Sequence, residues 1–266
     1  MIVNIVRFEN LLVKYMDKTF LLPFIKKEQL NQDTFTFFFG RNGKEKAFIP
    51  GQYYEMTLPH EKMDERGDAR VFTISSSPTD REYITITTRI IQSSFKMTLA
   101  NIKPGDLVNF GGPWDDLNFD ETDKSPHVFL SGGIGITPYH SIVNYVIDKR
   151  LDNQMILFAS WKNRGEMIFD DFFRNVNNHI ENFTYVPTLT EERASVPAIT
   201  DIDSLQDWDG EKGRVSENML RKYIFDIQNS KYYFSGPPAM IKGLKETVVN
   251  MGAPKEKIIA EEFEGY

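Results

Sequence analysis

The sequence changes rhythm once, near residue 120, and that change limits the fold more than any other feature of the chain. Before it, short runs rich in β-branched and aromatic residues alternate with turn residues. Residues 34–39 (TFTFFF), 52–58 (QYYEMTL), 69–74, 83–90 and 107–110 are predicted strands. Arg41-Asn42-Gly43, Pro50-Gly51 and Pro104-Gly105-Asp106 separate them. One helical piece falls at 95–102. Many short strands with a single helix predict a small antiparallel β-barrel. After the change, predicted strands at 127–131, 155–160, 183–188, 231–235 and 258–261 alternate with predicted helices at 138–149, 167–175, 217–226 and 238–251. That alternation predicts an α/β domain, a parallel sheet covered by helices on both faces. The polar segment 120–126 (DETDKSP) marks the boundary. The expected parts are an N-terminal leader (1–19), a β-barrel domain (20–120) and an α/β domain (121–266). A chain of 266 residues is long enough for two cores.

Four short pieces carry candidate chemistry. LSGGIGITP (130–138) joins a predicted strand to a predicted helix. Its glycines let backbone amides approach a ligand, and Pro138 suits the first helical turn. The helix start would offer free N–H groups to a phosphate. Alone, the same residues make an ordinary tight turn. KYYFSGPPAM (231–240) ends another strand at Ser235. In open α/β sheets ligands sit beyond the carboxyl ends of strands, so Ser235 would face the same crevice. A plain strand-to-helix turn is the competing reading. In RVFTISSSP (70–78), Arg70 and Phe72 share one strand face. Arg70 could pair with a pyrophosphate through its planar fork, or be a surface arginine. The chain then closes on two aromatics, Phe263 and Tyr266, either of which could cover a flat ring.

Composition removes several classes of function. With no cysteine, these residues form no disulfide, thiolate-held iron–sulfur cluster, thiolate zinc site or cysteine nucleophile. The four histidines, His60, His127, His140 and His179, show no metal-ligand spacing, so no metal is expected. A net charge of −7 gives no general attraction to nucleic acid or anionic membrane. No apolar run reaches the ~18 residues of a membrane span. The leader, interrupted by Arg7, Glu9, Asn10 and Lys14, lacks a signal-peptide core and is expected to pack on the barrel. A cytoplasmic protein is the expectation.

In order and spacing, PGQY (50–53), RVFT (70–73), KPGD (103–106), GGP (111–113), SGGIGITP (131–138), GEKGR (210–214), SGPPAM (235–240) and the EEF near the C-terminus resemble the markers of the ferredoxin–NADP reductase family of flavoproteins. The resemblance runs from about residue 20 to the C-terminus. It implies an FAD-binding barrel followed by an NAD(P)-binding α/β domain. RVFT matches the family's Arg-x-Tyr-Ser/Thr signature. Arg70 would hold the FAD pyrophosphate, Phe72 would pack on the flavin without the usual hydroxyl, and Thr73 would lie near flavin N5. Val71, Ser76 and Thr88 would be further FAD contacts. SSFKMTL (93–99) matches the helix start that receives the flavin phosphates, through Phe95, Lys96 and Met97. Lys96 stands where many relatives have serine. Phe263 aligns with the usual C-terminal tyrosine, and Tyr266 is the alternative ring.

The resemblance also assigns the nucleotide site. Gly133, Gly135 and Thr137 would meet the nicotinamide dinucleotide, with Gly236, Pro237 and Met240 opposite. Ser235 replaces the family's cysteine beside the transferring carbon, and Glu261 takes the place of its frequent carboxylate near the flavin. Thr73, Ser235 and Glu261 are therefore the expected catalytic set. No acid follows the predicted strand ILFAS before Glu166, whereas Ser160, Lys162 and Arg193 could hold a 2′-phosphate. NADP is accordingly preferred over NAD. The implied function is electron transfer between NAD(P)H and a separate one-electron carrier of ferredoxin or flavodoxin type. The alternatives are the reductase component of an oxygenase, a free-flavin or ferric reductase, and a non-catalytic flavin-binding subunit of an electron-transfer complex.

Overall fold

The computed structural model describes residues 19–60, 65–115, 117, 119–191 and 208–262. The leader residues 1–18, Arg193, Phe263 and Tyr266 lie outside the described residues.

The first half is one six-stranded antiparallel sheet. Its strands are β1 (Thr19–Gln29), β2 (Thr34–Gly40), β3 (Tyr53–Thr57), β4 (Ala69–Thr73), β5 (Tyr83–Arg89) and β6 (Leu107–Trp114), in the spatial order β4-β3-β6-β1-β2-β5. The two ends meet through a bridge between Ile74 and Ile86 and the bond from Ser75 N to Thr85 O (2.9 Å), which close the sheet into a barrel. Alternation along the strands fills the interior. Phe20, Leu22 and Phe24 point inward from β1, to meet Phe37 and Phe39 of β2, Tyr54 and Met56 of β3 and Phe110 of β6. Each such side chain contributes about 1.5–3 kcal/mol on burial. Helix α1 (Ser94–Asn101) plugs Phe95 and Leu99 into the same core.

Two barrel elements differ from expectation. β1 was not among the predicted strands: its second half is charged and Pro23 interrupts the pattern, with a register shift between Phe24 and Lys26. β6 continues through Gly111-Gly112-Pro113, residues that read as a stop, because it lies between β3 and β1 and pairs with both.

The second half is a six-stranded parallel sheet. Its strands are β7 (His127–Gly132), β8 (Met155–Trp161), β9 (Phe183–Leu189), β10 (Glu211–Lys212), β11 (Lys231–Gly236) and β12 (Ile258–Glu262), ordered β10-β9-β8-β7-β11-β12. Helices α2 (Thr137–Asp148) and α3 (Asp170–His179) pack on one face through Tyr139, Ile142, Val143, Phe173 and Val176. Helices α4 (Glu217–Tyr223) and α5 (Pro238–Asn250) cover the other through Leu220, Ile241, Leu244 and Val248. Helix α3 begins three residues later than expected, because Arg164–Glu166 forms a 3₁₀ turn and Phe169 takes a left-handed conformation (φ 59°). Among the described residues no helix is long and apolar enough to cross a membrane.

This topology places the chemistry. Strand order runs from β7 toward β9 on one side and from β7 to β11 and β12 on the other. The crevice between the carboxyl ends of β7 and β11 is therefore the switch point at which such sheets take ligands.

Candidate active site at the domain seam

Three residues from distant parts of the chain meet at that switch point. Ser235 of β11 is in register with Ser131 of β7 and with Glu261 of β12. Its hydroxyl donates to Glu261 Oε2 at 3.4 Å. The Thr73 hydroxyl, at the end of β4 in the barrel, donates to Glu261 Oε1 at 3.2 Å. All three are buried, with Thr73 at 3%, Ser235 at 0% and Glu261 at 6% exposure. A buried carboxylate costs several kcal/mol unless donors satisfy it, and here one donor comes from each domain. The three expected catalytic residues thus form one chain of hydrogen bonds across the seam.

The glycine turn is packed against the same point. A Cβ on Gly135 would stand 2.2 Å from the Ser235 carbonyl oxygen, so only glycine fits there. Gly133 has φ +55° and open space where a side chain would project. That open side faces a cavity of about 640 Å³. Gly132, Gly133, Ile134, Pro237 and Met240 line it, together with Ser160 and Lys162. The bare backbone amides of the turn, beside a helix N-terminus, fit the pyrophosphate of a dinucleotide. Thr137 does not reach the cavity; its buried hydroxyl donates to Ile134 O at 3.1 Å and caps the turn. Gly135 acts from beneath, as a spacer against Ser235.

The expected flavin-phosphate residues gather at the barrel end of α1. The Arg70 guanidinium lies 5.2 Å from the centre of the Phe95 ring, and Nη1 donates to Gly67 O at 3.0 Å and Ala69 O at 2.6 Å. Lys96 Nζ bonds the Thr88 hydroxyl and sits 4.6 Å over the Phe72 ring. Burial first, then the Arg70 and Arg66 charges, pull Lys96 down to about 7. Three cations crowded at a helix start, where the Ser94 and Phe95 amides have no intrahelical acceptor, fit a doubly charged pyrophosphate. The side chains of Phe72 and Phe95 are themselves buried, 5.9 Å apart in the barrel core, so Phe95 can contribute only its amide to a ligand. Val71 is 60% exposed on the opposite strand face, and Met97 is exposed on α1. Ser76 faces inward, where its hydroxyl accepts from Thr85 N at 3.0 Å.

Sequence reasoning did not single out Arg89, Thr190 and Arg214, all of which line the 640 Å³ cavity. Arg89 ends β5 and is paired with Asp33 (2.6 Å). Arg214 closes the GEKGR stretch directly after the short β10. Its signal was the GEKGR marker, whose arginine carried no assigned role.

The fold and the seam define a flavoprotein oxidoreductase with an FAD-binding barrel and an NAD-binding α/β domain. A family model described as an oxidoreductase FAD-binding domain matches residues 21–119, and one described as an oxidoreductase NAD-binding domain matches residues 129–246. The chain therefore carries an oxidoreductase FAD-binding domain followed by an oxidoreductase NAD-binding domain. It is 23% identical over 218 residues to the reductase component of phenol 2-monooxygenase from Pseudomonas sp. (strain CF600), covering 81% of this chain and 58% of that protein. Flavohemoprotein A of Dictyostelium discoideum is 26% identical over 253 residues, covering 90% and 58%. The chain thus spans a little over half the length of these curated relatives. Its fold matches a ferredoxin NADP+ reductase from Neisseria gonorrhoeae with bound FAD and NADP, at a TM-score of 0.73 and 20% identity, over 92% of this chain and 98% of that one.

Proposed function

We propose that the protein is an FAD-dependent NAD(P)H oxidoreductase that passes electrons to a separate one-electron carrier of ferredoxin or flavodoxin type. The observation that carries this reading is the Thr73–Glu261–Ser235 chain, because it puts polar groups from both domains at one buried point. When bound, the two cofactors supply the redox chemistry, a hydride passing from nicotinamide C4 to flavin N5 and electrons leaving the flavin singly. The protein's part is placement. Arg70, Lys96 and the start of α1 anchor FAD by its pyrophosphate. Gly133 and the start of α2 anchor the dinucleotide. Thr73 and Ser235, both tied to Glu261, would hold polar groups of the two domains beside the point where the cofactors meet. Burial of this trio excludes water from the hydride's path.

NADP is the preferred nucleotide in this reading. Lys162 and Arg214 line the same cavity as Ser160, where a 2′-phosphate would find two cations. The domain division at 120–126 and the roles of Arg193, Phe263 and Tyr266 belong to the same proposal.

A second reading, the reductase component of an oxygenase, is favoured by relatives named as reductase components of phenol 2-monooxygenase and propane 2-monooxygenase. The test is steady-state oxidation of NADPH by the flavin-loaded protein with ferredoxin, flavodoxin, free flavin or ferric chelate as acceptor. Fast turnover with a carrier protein and slow turnover with the small molecules is expected. The reverse pattern would overturn the carrier assignment.

A further inference from the structure

We propose that His140 is a positioning residue that sets the distance between the two cofactor-bearing turns. This rests on the functional reading above. His140 lies one helical turn into α2, three residues beyond Thr137 and the glycine turn. Its Nδ1 is 2.7 Å from the Ser75 carbonyl oxygen, across the seam and two residues beyond Thr73. A carbonyl only accepts, so Nδ1 carries the proton and donates. The neighbouring Ser141 hydroxyl donates to Ser76 O at 2.6 Å. Two adjacent rungs thus fasten the first turn of the nucleotide helix to the strand end that carries Thr73.

Each side of this fastening is held in turn. On the barrel side, Ser75 N donates to Thr85 O at 2.9 Å, and the Ser75 hydroxyl lies 2.9 Å from both Thr85 Oγ1 and Thr87 Oγ1. On the helix side, the imidazole stacks on Phe169 with centroids 4.0 Å apart and planes 24° apart, and Phe172 leans on it at 4.7 Å. Phe169 is one of two non-glycine described residues with positive φ, at 59°. A bulky residue in that region is strained and persists only where its surroundings hold it. The ring stack against His140 is one of its supports, beside the bond from Phe173 N to Phe169 O at 3.0 Å. Burial keeps the imidazole neutral, its pKa pushed down to about 4 against a smaller upward pull from the Ser75 carbonyl. Asn144 Nδ2 lies 3.4 Å from both ring nitrogens and donates to the His140 carbonyl oxygen at 2.8 Å. None of these groups touches the dinucleotide cavity. The imidazole acts through Ser75 and Thr73 and not on the nucleotide itself.

The test is anaerobic stopped-flow reduction of the flavin-loaded full chain by NADPH, in wild type, His140→Leu and His140→Gln. Leucine keeps the bulk and removes the nitrogen contacts, whereas glutamine returns an N–H donor. In His140→Leu the saturating rate of flavin reduction falls at least about tenfold, as misplaced reacting atoms require. The half-saturating NADPH concentration stays unchanged, and the charge-transfer absorbance of the stacked rings weakens. His140→Gln restores part of both signals. An unchanged rate and absorbance in His140→Leu, or a rate loss that only follows lost affinity, would overturn the proposal. If His140→Leu does not fold, Ser141→Ala removes the second rung. The same split of rate from affinity is expected there, and its absence counts against the fastening. If wild-type flavin is reduced by neither nucleotide, the functional reading is what has failed. Hydrogen exchange at the amides of residues 75–77 then decides the fastening alone. Faster exchange in His140→Leu supports it and equal exchange refutes it.

Discussion

Thr73 and Glu261 stand 188 positions apart in sequence and 3.2 Å apart at the seam, the threonine hydroxyl donating to the carboxylate. The bond joins the barrel to the last strand of the α/β domain, and Ser235 completes it from the central crevice. Removing the acceptor leaves two buried hydroxyls without their partner, each worth about 1–3 kcal/mol. Glu261→Ala should therefore slow flavin reduction by roughly 10–100-fold while leaving FAD bound. Rapid-reaction kinetics on the loaded variant checks this, and a wild-type rate would remove Glu261 from the transfer point.

Arg70 and Lys96 should govern FAD retention. Charge-assisted bonds to a phosphate contribute about 1.5–3 kcal/mol each, so Arg70→Ala should weaken FAD binding by at least about tenfold. Flavin occupancy after gel filtration measures it.

Lys96 also predicts a pH dependence. Its folded pKa without FAD is about 7, below the unfolded value of 10.5. Between those values the unfolded chain holds the extra proton, so stability without FAD rises with pH across this window and is lower below pH 7. Bound FAD favours the charged lysine, so the sign for binding is opposite. FAD affinity should be highest below pH 7 and fall as pH rises above it. Titrating FAD affinity against pH in wild type and in Lys96→Met tests both signs, since methionine should flatten the profile.

Gly135→Ala should cost about 1–3 kcal/mol of stability through overpacking, because the new Cβ would meet the Ser235 carbonyl oxygen at 2.2 Å. It should also push Ser235 away from Glu261 and slow flavin reduction. Denaturant unfolding and reduction kinetics on one preparation report both effects.

Lys162→Ala and Arg214→Ala should raise KM for NADPH roughly tenfold or more, the value of a charge-assisted phosphate contact, with a smaller effect for NADH. Equal effects on the two nucleotides would take these cations away from the 2′-phosphate.

The two-domain architecture was legible because each half carries its own hydrophobic period; five of the six parallel strands lie within one residue of their predicted ends, and the two-residue β10 was not predicted. β1 was hidden by Pro23 and by the charged run Lys26–Lys27–Glu28, since only its first half faces the core. The meeting of Thr73, Ser235 and Glu261 could be expected from the resemblance, but the bonds among them depend on sheet register, which no local pattern encodes. Arg214 and Arg89 escaped notice because surface and cavity arginines look alike in sequence. His140 gave no sign of its contacts either: Ser75 meets it only once the two domains dock, and Phe169 only once α3 packs beside α2 within the α/β domain.

The most direct measurement is anaerobic addition of NADPH, and separately NADH, to the FAD-loaded protein while the flavin absorption band is followed. Prompt bleaching, faster with NADPH, is the predicted result. A protein that holds FAD firmly yet keeps its band unchanged with either nucleotide would contradict the account.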